Sequence, residues 1–229
     1  MQVLAIDLGS SSVKAAYWDG NRFRNRVRVE YKTHFDGIRA ELHADDVLRA
    51  VIRAGREAHA QHADAVAFCT LSSGVVITDA AGKVRLGVIT HQDRRSVDEA
   101  RNLVKRLGTP WLLAHTGNLP YPGSIGSSTL AWVAKHARGT LRGNYRVGQL
   151  SSLVGQLLTD EWKIDPSQAV FLGLWDIRAW QWSKRMCRAV GVRVESLPKC
   201  VWANEVMGNN ASRIWRRVFF MNYSVVKGG

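Results

Sequence analysis

A chain of 229 residues with 46% hydrophobic and 22% charged side chains has the composition of a folded protein with a real core, one large domain or two small ones, and excludes disordered, collagen-like and coiled-coil classes. Its 32 lysines and arginines against 19 acidic residues give a net charge of +13, a balance that invites a polyanionic partner. No apolar run reaches the ~18 residues of a membrane span, and the start MQVLAIDLGS breaks any signal-peptide core with Asp7 and Gly9. Three widely spaced cysteines, Cys69, Cys187 and Cys200, suggest neither a disulfide framework nor a zinc site, which fits a reducing, cytoplasmic compartment and no membrane partner.

In chain order, Val3 to Leu8 reads as a buried strand, Ser12 to Trp18 as a second, and Asp19-Gly20 as a hairpin turn into a third. In that third strand Arg22, Arg24, Arg26 and Arg28 alternate with other residues, so they form a basic stripe on one side. It is either a solvated face or a polyanion contact. Asp45 or Asp46 is expected to cap a helix whose Val47, Val51, Ala54 and Ala58 share a face, and the run AVAFC then returns to the sheet. A crossover of that length permits a strand parallel to the first. Three antiparallel strands, a helix and a strand beside the first make an RNase H-like α/β half, a mixed sheet flanked by helices.

Further on, GVVITDAAGKV reads as strand, turn and strand, and LGVIT as a short strand. Ala100, Leu103, Val104 and Leu107 line a helix ended by Gly108, TGNLPYPG is a loop, and Leu130, Trp132 and Val133 mark another helix. A further helix covers Leu153 to Leu158. FLGLWDIRAWQWS is expected to be an aromatic, strand-like stretch. Residues 209–229 hold Arg213, Arg216, Arg217 and Lys227 and no carboxylate, which sets an atypical basic tail apart from one continuous domain over 1–208.

The chemistry concentrates in AIDLGSSSVKAAYWDG. A carboxylate at the end of a buried strand, Asp7, stays charged more readily beside a cation, and a magnesium ion reached through water would serve. Gly9 lets the chain turn tightly, so that amides of Gly9, Ser10 and Ser11 can meet a phosphate, with Lys14 placed to neutralise charge or brace the loop. The plain alternative is an ordinary hairpin with Asp7 as a turn residue.

This string resembles the first phosphate motif, DxGTxxxK, of the actin-like ATPase superfamily, with Ser10 in the place of threonine. The rest of the chain is similar to FGGY carbohydrate kinases, and within them to xylulokinase-like pentulose kinases. The similarity rests on ADAVAFCTLSSGVVITDAAGKVRLGVITHQDRR, where Gly74, Asp79, Asp93 and Arg95 fall on characteristic positions, and on TGNLPYPGSIGSSTLAWV, LSSLVGQLLTDEWKIDPSQAVFLGLWDIRAWQWS and LPKCVWANEVMG. It is collinear over 3–208.

The resemblance implies an ATP- and Mg2+-dependent phosphotransferase acting on a sugar. It makes Ser73, Gly74, Asp93 and Arg95 the candidates for sugar contact, with a helix cap as the alternative role for Asp93. Leu71, Ser72, Ser73 and Gly74 replace the Q-M-H-G loop of xylulokinases, and Thr90-His91 replaces the tryptophan side of W-N-D-x-R. Family members carry a second domain and, past the position of Gly208, a G-G-D element whose aspartate is the general base. That element does not follow Gly208 here. The expectation is therefore a truncated chain, inactive alone. The alternatives are a non-catalytic sugar- or protein-binding domain, including a homodimer formed through uncovered apolar surface, and a basic nucleic-acid binder. The last is disfavoured because such scaffolds cut with clustered carboxylates and only Asp7 is well placed.

Overall fold

The computed structural model describes residues 1–59, 61, 63–202, 205, 208 and the backbone of 220–222. The chain opens with β1 (Val3–Leu8), β2 (Ser12–Trp18) and β3 (Phe23–Glu30), paired antiparallel in sequence, with Asp7 opposite Lys14 and Lys14 opposite Arg28. Alternation decides the two faces. Leu4, Ile6 and Leu8 on β1 and Val13, Ala15 and Tyr17 on β2 are buried on one side, leaving Ala5, Asp7, Lys14 and Ala16 for the other.

The chain then forms a hairpin of β4 (Thr33–Asp36) and β5 (Arg39–Leu42) before α1 (Ala44–Glu57). Val47, Val51 and Ala54 of α1 pack on the apolar side of the first sheet. The helix begins two to three residues earlier than a cap at Asp45 or Asp46 would allow. His43 is the N-cap and both aspartates lie in the first turn, where their charge still favours the positive helix end. The crossover returns β6 (Ala65–Thr70) parallel to β1, from Val3 opposite Ala65 to Leu8 opposite Thr70.

A second sheet follows, of β7 (Val75–Asp79) and β8 (Val88–Ile89) with the earlier hairpin. Then come α2 (Val97–Leu107), α3 (Thr109–Thr116), α4 (Gly126–His136) and β9 (Tyr145–Gln149). Its order is β4-β5-β8-β7-β9, antiparallel throughout. β7 is buried on both sides: Val76 joins the core beneath α1, while Val75 and Ile77 join a second core with Leu103, Leu130 and Val133. That double burial explains an unbroken apolar run.

The remainder is α5 (Leu150–Thr159), β10 (Lys163–Ile164), α6 (Pro166–Leu172), β11 (Trp175–Asp176), β12 (Gln181–Trp182), α7 (Lys184–Val190) and β13 (Lys199–Cys200). The aromatic stretch 171–183 is thus not one strand. Phe171 and Leu172 finish α6, and only the two-residue pairs of β11 and β12 form a hairpin, because Gly173, in a left-handed conformation, ends the helix. Of the basic tail, β14 (Phe220–Asn222) is described. It pairs parallel with Val66 to Phe68 of β6 and completes a first sheet ordered β14-β6-β1-β2-β3. The tail's cations, Arg213, Arg216, Arg217 and Lys227, lie outside the described residues. Among the described residues no helix is long and apolar enough to cross a membrane.

Candidate functional site

The turn between β1 and β2 sits at the carboxyl end of β1, and the parallel β6 ends beside it, where the Leu71 amide donates to the Leu8 carbonyl at 2.8 Å. Loop 9–12 and loop 71–74 therefore share one edge of the sheet. Ligands of α/β sheets collect at such carboxyl ends.

The first loop is held from behind. Gly9 N–H donates to Ser12 O at 2.9 Å, Tyr31 N–H to Ser11 O at 3.0 Å, the Thr33 hydroxyl to Ser10 O at 3.1 Å and the Tyr31 hydroxyl to Gly9 O. Three successive carbonyls are thus turned toward the segment after β3. Burial, and then the charge of Asp7, push the Tyr31 phenol up to about 12, so it remains a donor at any physiological pH. The turn itself does not require glycine. Gly9 has no positive φ, and an added Cβ would meet nothing closer than Ser12 O at 3.6 Å. Any need for glycine comes from what approaches from outside.

Asp7 is not buried as its strand suggested: its side chain is 51% exposed, because it points to the face of the sheet away from α1. Lys14, its cross-strand partner, stands 3.3 Å from Oδ2, and the thiol of Cys69, its partner on β6, 3.5 Å from Oδ1. The cation beside the carboxylate is therefore a lysine of the protein. These groups line a groove of about 910 Å³ whose floor is Ala5, Ala16 and Ala67 and whose β3 rim carries Arg26 and Arg28. Part of the basic stripe thus faces the same groove as Asp7 and Lys14. Small side chains on the floor and cations on the rim make a surface suited to a flat ligand bearing phosphates.

The second loop is shaped by burial. Ser73 takes a left-handed φ of 70° and is buried. Gly74 donates its N–H to Gln149 Oε1 at 2.8 Å, and a Cβ there would press on Leu150 at 3.1 Å and Val88 at 3.2 Å. Gln168 reaches Thr70 O at 3.5 Å from below. Both glutamines retain a second buried amide atom without a protein partner, so the loop rests on a polar bed with hydrogen-bonding capacity in reserve.

Asp93 and Arg95 lie elsewhere in character. The Asp93 side chain is 1% exposed and that of Arg95 3%. Arg95 Nε lies 2.9 Å from both Asp93 oxygens and Nη2 2.6 Å from Glu41 Oε1. Asp93 also accepts from the Ala40 amide at 2.8 Å, and the guanidinium lies over Trp132, 5.0 Å from the ring centroid. Burial opposes the charge on Arg95, but the two carboxylates outweigh it and raise its pKa above the ordinary arginine value. The helix-cap alternative for Asp93 does not hold, since Ser96 is the N-cap of α2. The pair fastens β5 to the turn before α2, where Arg94 ties His91, Asp93 and Pro122 carbonyls together. Tyr31, Thr33, Glu41 and Gln149 are the supporting residues that no motif singled out; each reaches its partner across more than 20 residues.

The sequence matches the N-terminal domain of the FGGY family of carbohydrate kinases over residues 2–229. It is 24% identical over 210 residues to a gluconokinase of Bacillus subtilis, covering 89% of this chain and 41% of that protein. In fold it is similar to the Plasmodium falciparum glycerol kinase solved with ADP (TM-score 0.89, 15% identity, 96% of this chain and 48% of that one). It is also similar to the ligand-bound xylulose kinase of Lactobacillus acidophilus (TM-score 0.87, 14% identity, 96% and 47%). The chain spans less than half the length of each of these proteins.

Proposed function

Since the chain belongs to the FGGY family of carbohydrate kinases, we propose that its β1–β2 loop receives the phosphates of ATP and that loop 71–74 borders the hydroxyls of a sugar. The observation that supports this reading most is the convergence of Asp7, Lys14 and Arg28 on one open groove along the exposed face of β1, beside the β1–β2 loop that follows Leu8. The acceptor is a polyhydroxylated sugar or polyol. A pentulose is favoured by the motif resemblance, and the Leu71-Ser72-Ser73 sequence offers hydroxyls where an amide and an imidazole stand in xylulokinases.

In phosphoryl transfer a sugar hydroxyl attacks the γ-phosphorus in line, and catalysis is chiefly positioning and charge stabilisation. Amides of Ser10 and Ser11 and the ammonium of Lys14 hold phosphate oxygens, while Arg28 lowers the cost of bringing a polyanion to the groove. Asp7, half-exposed and with both oxygens toward the groove partners, fits a magnesium ion held through water. Magnesium, when bound, neutralises charge on the transferred phosphates. The attacking hydroxyl needs a carboxylate to take its proton. We assign that base to the second domain of the family rather than to Asp7, which is engaged with Lys14 on the phosphate side.

Equilibrium binding of ATP with Mg2+ tests the reading. Binding should fall about tenfold, about 1.4 kcal/mol, in Lys14→Ala and Asp7→Asn, and hydrolysis or transfer by the 229-residue chain should be undetectable with xylulose, gluconate or glycerol. Unchanged binding in both variants refutes the phosphate assignment.

A further inference from the structure

Away from the groove, two imidazoles and a carboxylate meet where the β4–β5 hairpin passes into α1. The rings of His34 and His43 lie 4.0 Å apart between centroids. A nitrogen of each and a carboxylate oxygen of Asp46 all fall within 4.8 Å of one another. The backbone dictates this meeting. His34 on β4 is opposite Glu41 on β5, so His43, two residues beyond Glu41, occupies the diagonal position on the same face. His43 is also the N-cap of α1, and its side chain makes no capping bond. Asp46 is the third helical residue, the position whose side chain folds back toward the cap, and its amide donates to the His43 carbonyl at 3.1 Å.

We propose that His34, His43 and Asp46 form a binding site for a divalent transition-metal ion of the zinc type. Two imidazoles and one carboxylate are the donors such ions prefer, whereas magnesium and calcium favour oxygen alone. Bonds of about 2.0–2.2 Å in a tetrahedral site hold donors about 3.3 Å apart. Both histidines are exposed, so rotamer changes bring the three donors in without moving the backbone. Arg49 engages Oδ1 of Asp46, and the carboxylate has its second oxygen to offer; water completes the sphere. A bound ion clamps β4 to α1 one residue from Thr33, whose hydroxyl braces Ser10.

The test is titration of metal-stripped protein with Co2+, followed by displacement with Zn2+, read by absorption and calorimetry. The expected result is one equivalent of Co2+ giving visible d–d bands without a thiolate charge-transfer band. Affinity should drop at least about tenfold in His34→Ala and in His43→Ala, both exposed and retaining the parent circular dichroism. Absence of 1:1 binding below about 1 mM, equal binding by the variants, or a thiolate band, which puts the ion on a cysteine, overturns the assignment. None of these readouts depends on the phosphate loop being a nucleotide site.

Discussion

At Gly9 and Tyr31 the demands of folding and of ligand binding separate. Because the Gly9 backbone is ordinary and a Cβ finds space, Gly9→Ala should leave stability within about 0.5 kcal/mol of the parent yet weaken ATP binding about tenfold. Urea unfolding and calorimetry on the same preparation check both halves. Tyr31→Phe should act the other way. Losing the hydroxyl that holds the Gly9 carbonyl costs about 1 kcal/mol of stability and loosens the loop, so binding falls as well. A Gly9→Ala protein that is destabilised by several kcal/mol would show that the glycine serves the turn after all.

Among elements, legibility followed the range of the interactions. β1, β2, β3 and α1 were readable because Leu4, Ile6 and Leu8 alternate and Val47, Val51 and Ala54 recur at helical spacing; each such signal is local. The second sheet was not readable as a sheet. β8 has two residues, and its partners β5 and β7 are chosen by the Glu41–Ile89 and Val75–Ile89 registers, which no window of sequence contains. The same limit applied to the site. The β1–β2 loop was visible as a string, while the inward turn of Asp93 and Arg95 depends on Glu41 and Trp132 arriving from β5 and α4. That buried cluster should be costly to break: Arg95→Met strands two carboxylates, one wholly buried, and should destabilise by about 3–5 kcal/mol. Pairing it with Asp93→Asn should restore part of the loss, and a double-mutant cycle in urea measures the coupling. Additive effects would deny that the two residues act as one fastening.

For the whole molecule, an excess of +13 means that each native carboxylate offsets self-repulsion as well as serving its partner. Glu99, 7% exposed in its side chain, is bonded by Lys135 and His136. Burial works to raise its pKa, but these bonds prevail and hold it below the ordinary 4.5. Asp176 is likewise held below 3.8: burial opposes, and the Ala179 amide, His115 and the Arg178 amide together outweigh it. A carboxylate with a depressed native pKa binds fewer protons folded than unfolded, so its contribution is complete above the unfolded value and is lost as pH falls through the native one. Stability should therefore stay level as pH is lowered from neutrality to about 5 and decline below about 4.5, steepening as protonation adds to the positive charge. Urea midpoints measured from pH 7 to pH 3 give the curve. In Glu99→Gln the protein should be weaker at neutral pH and its acid decline shallower, because the group that would have been protonated is already neutral; a decline of unchanged depth would remove Glu99 from the account and leave the net charge to explain it.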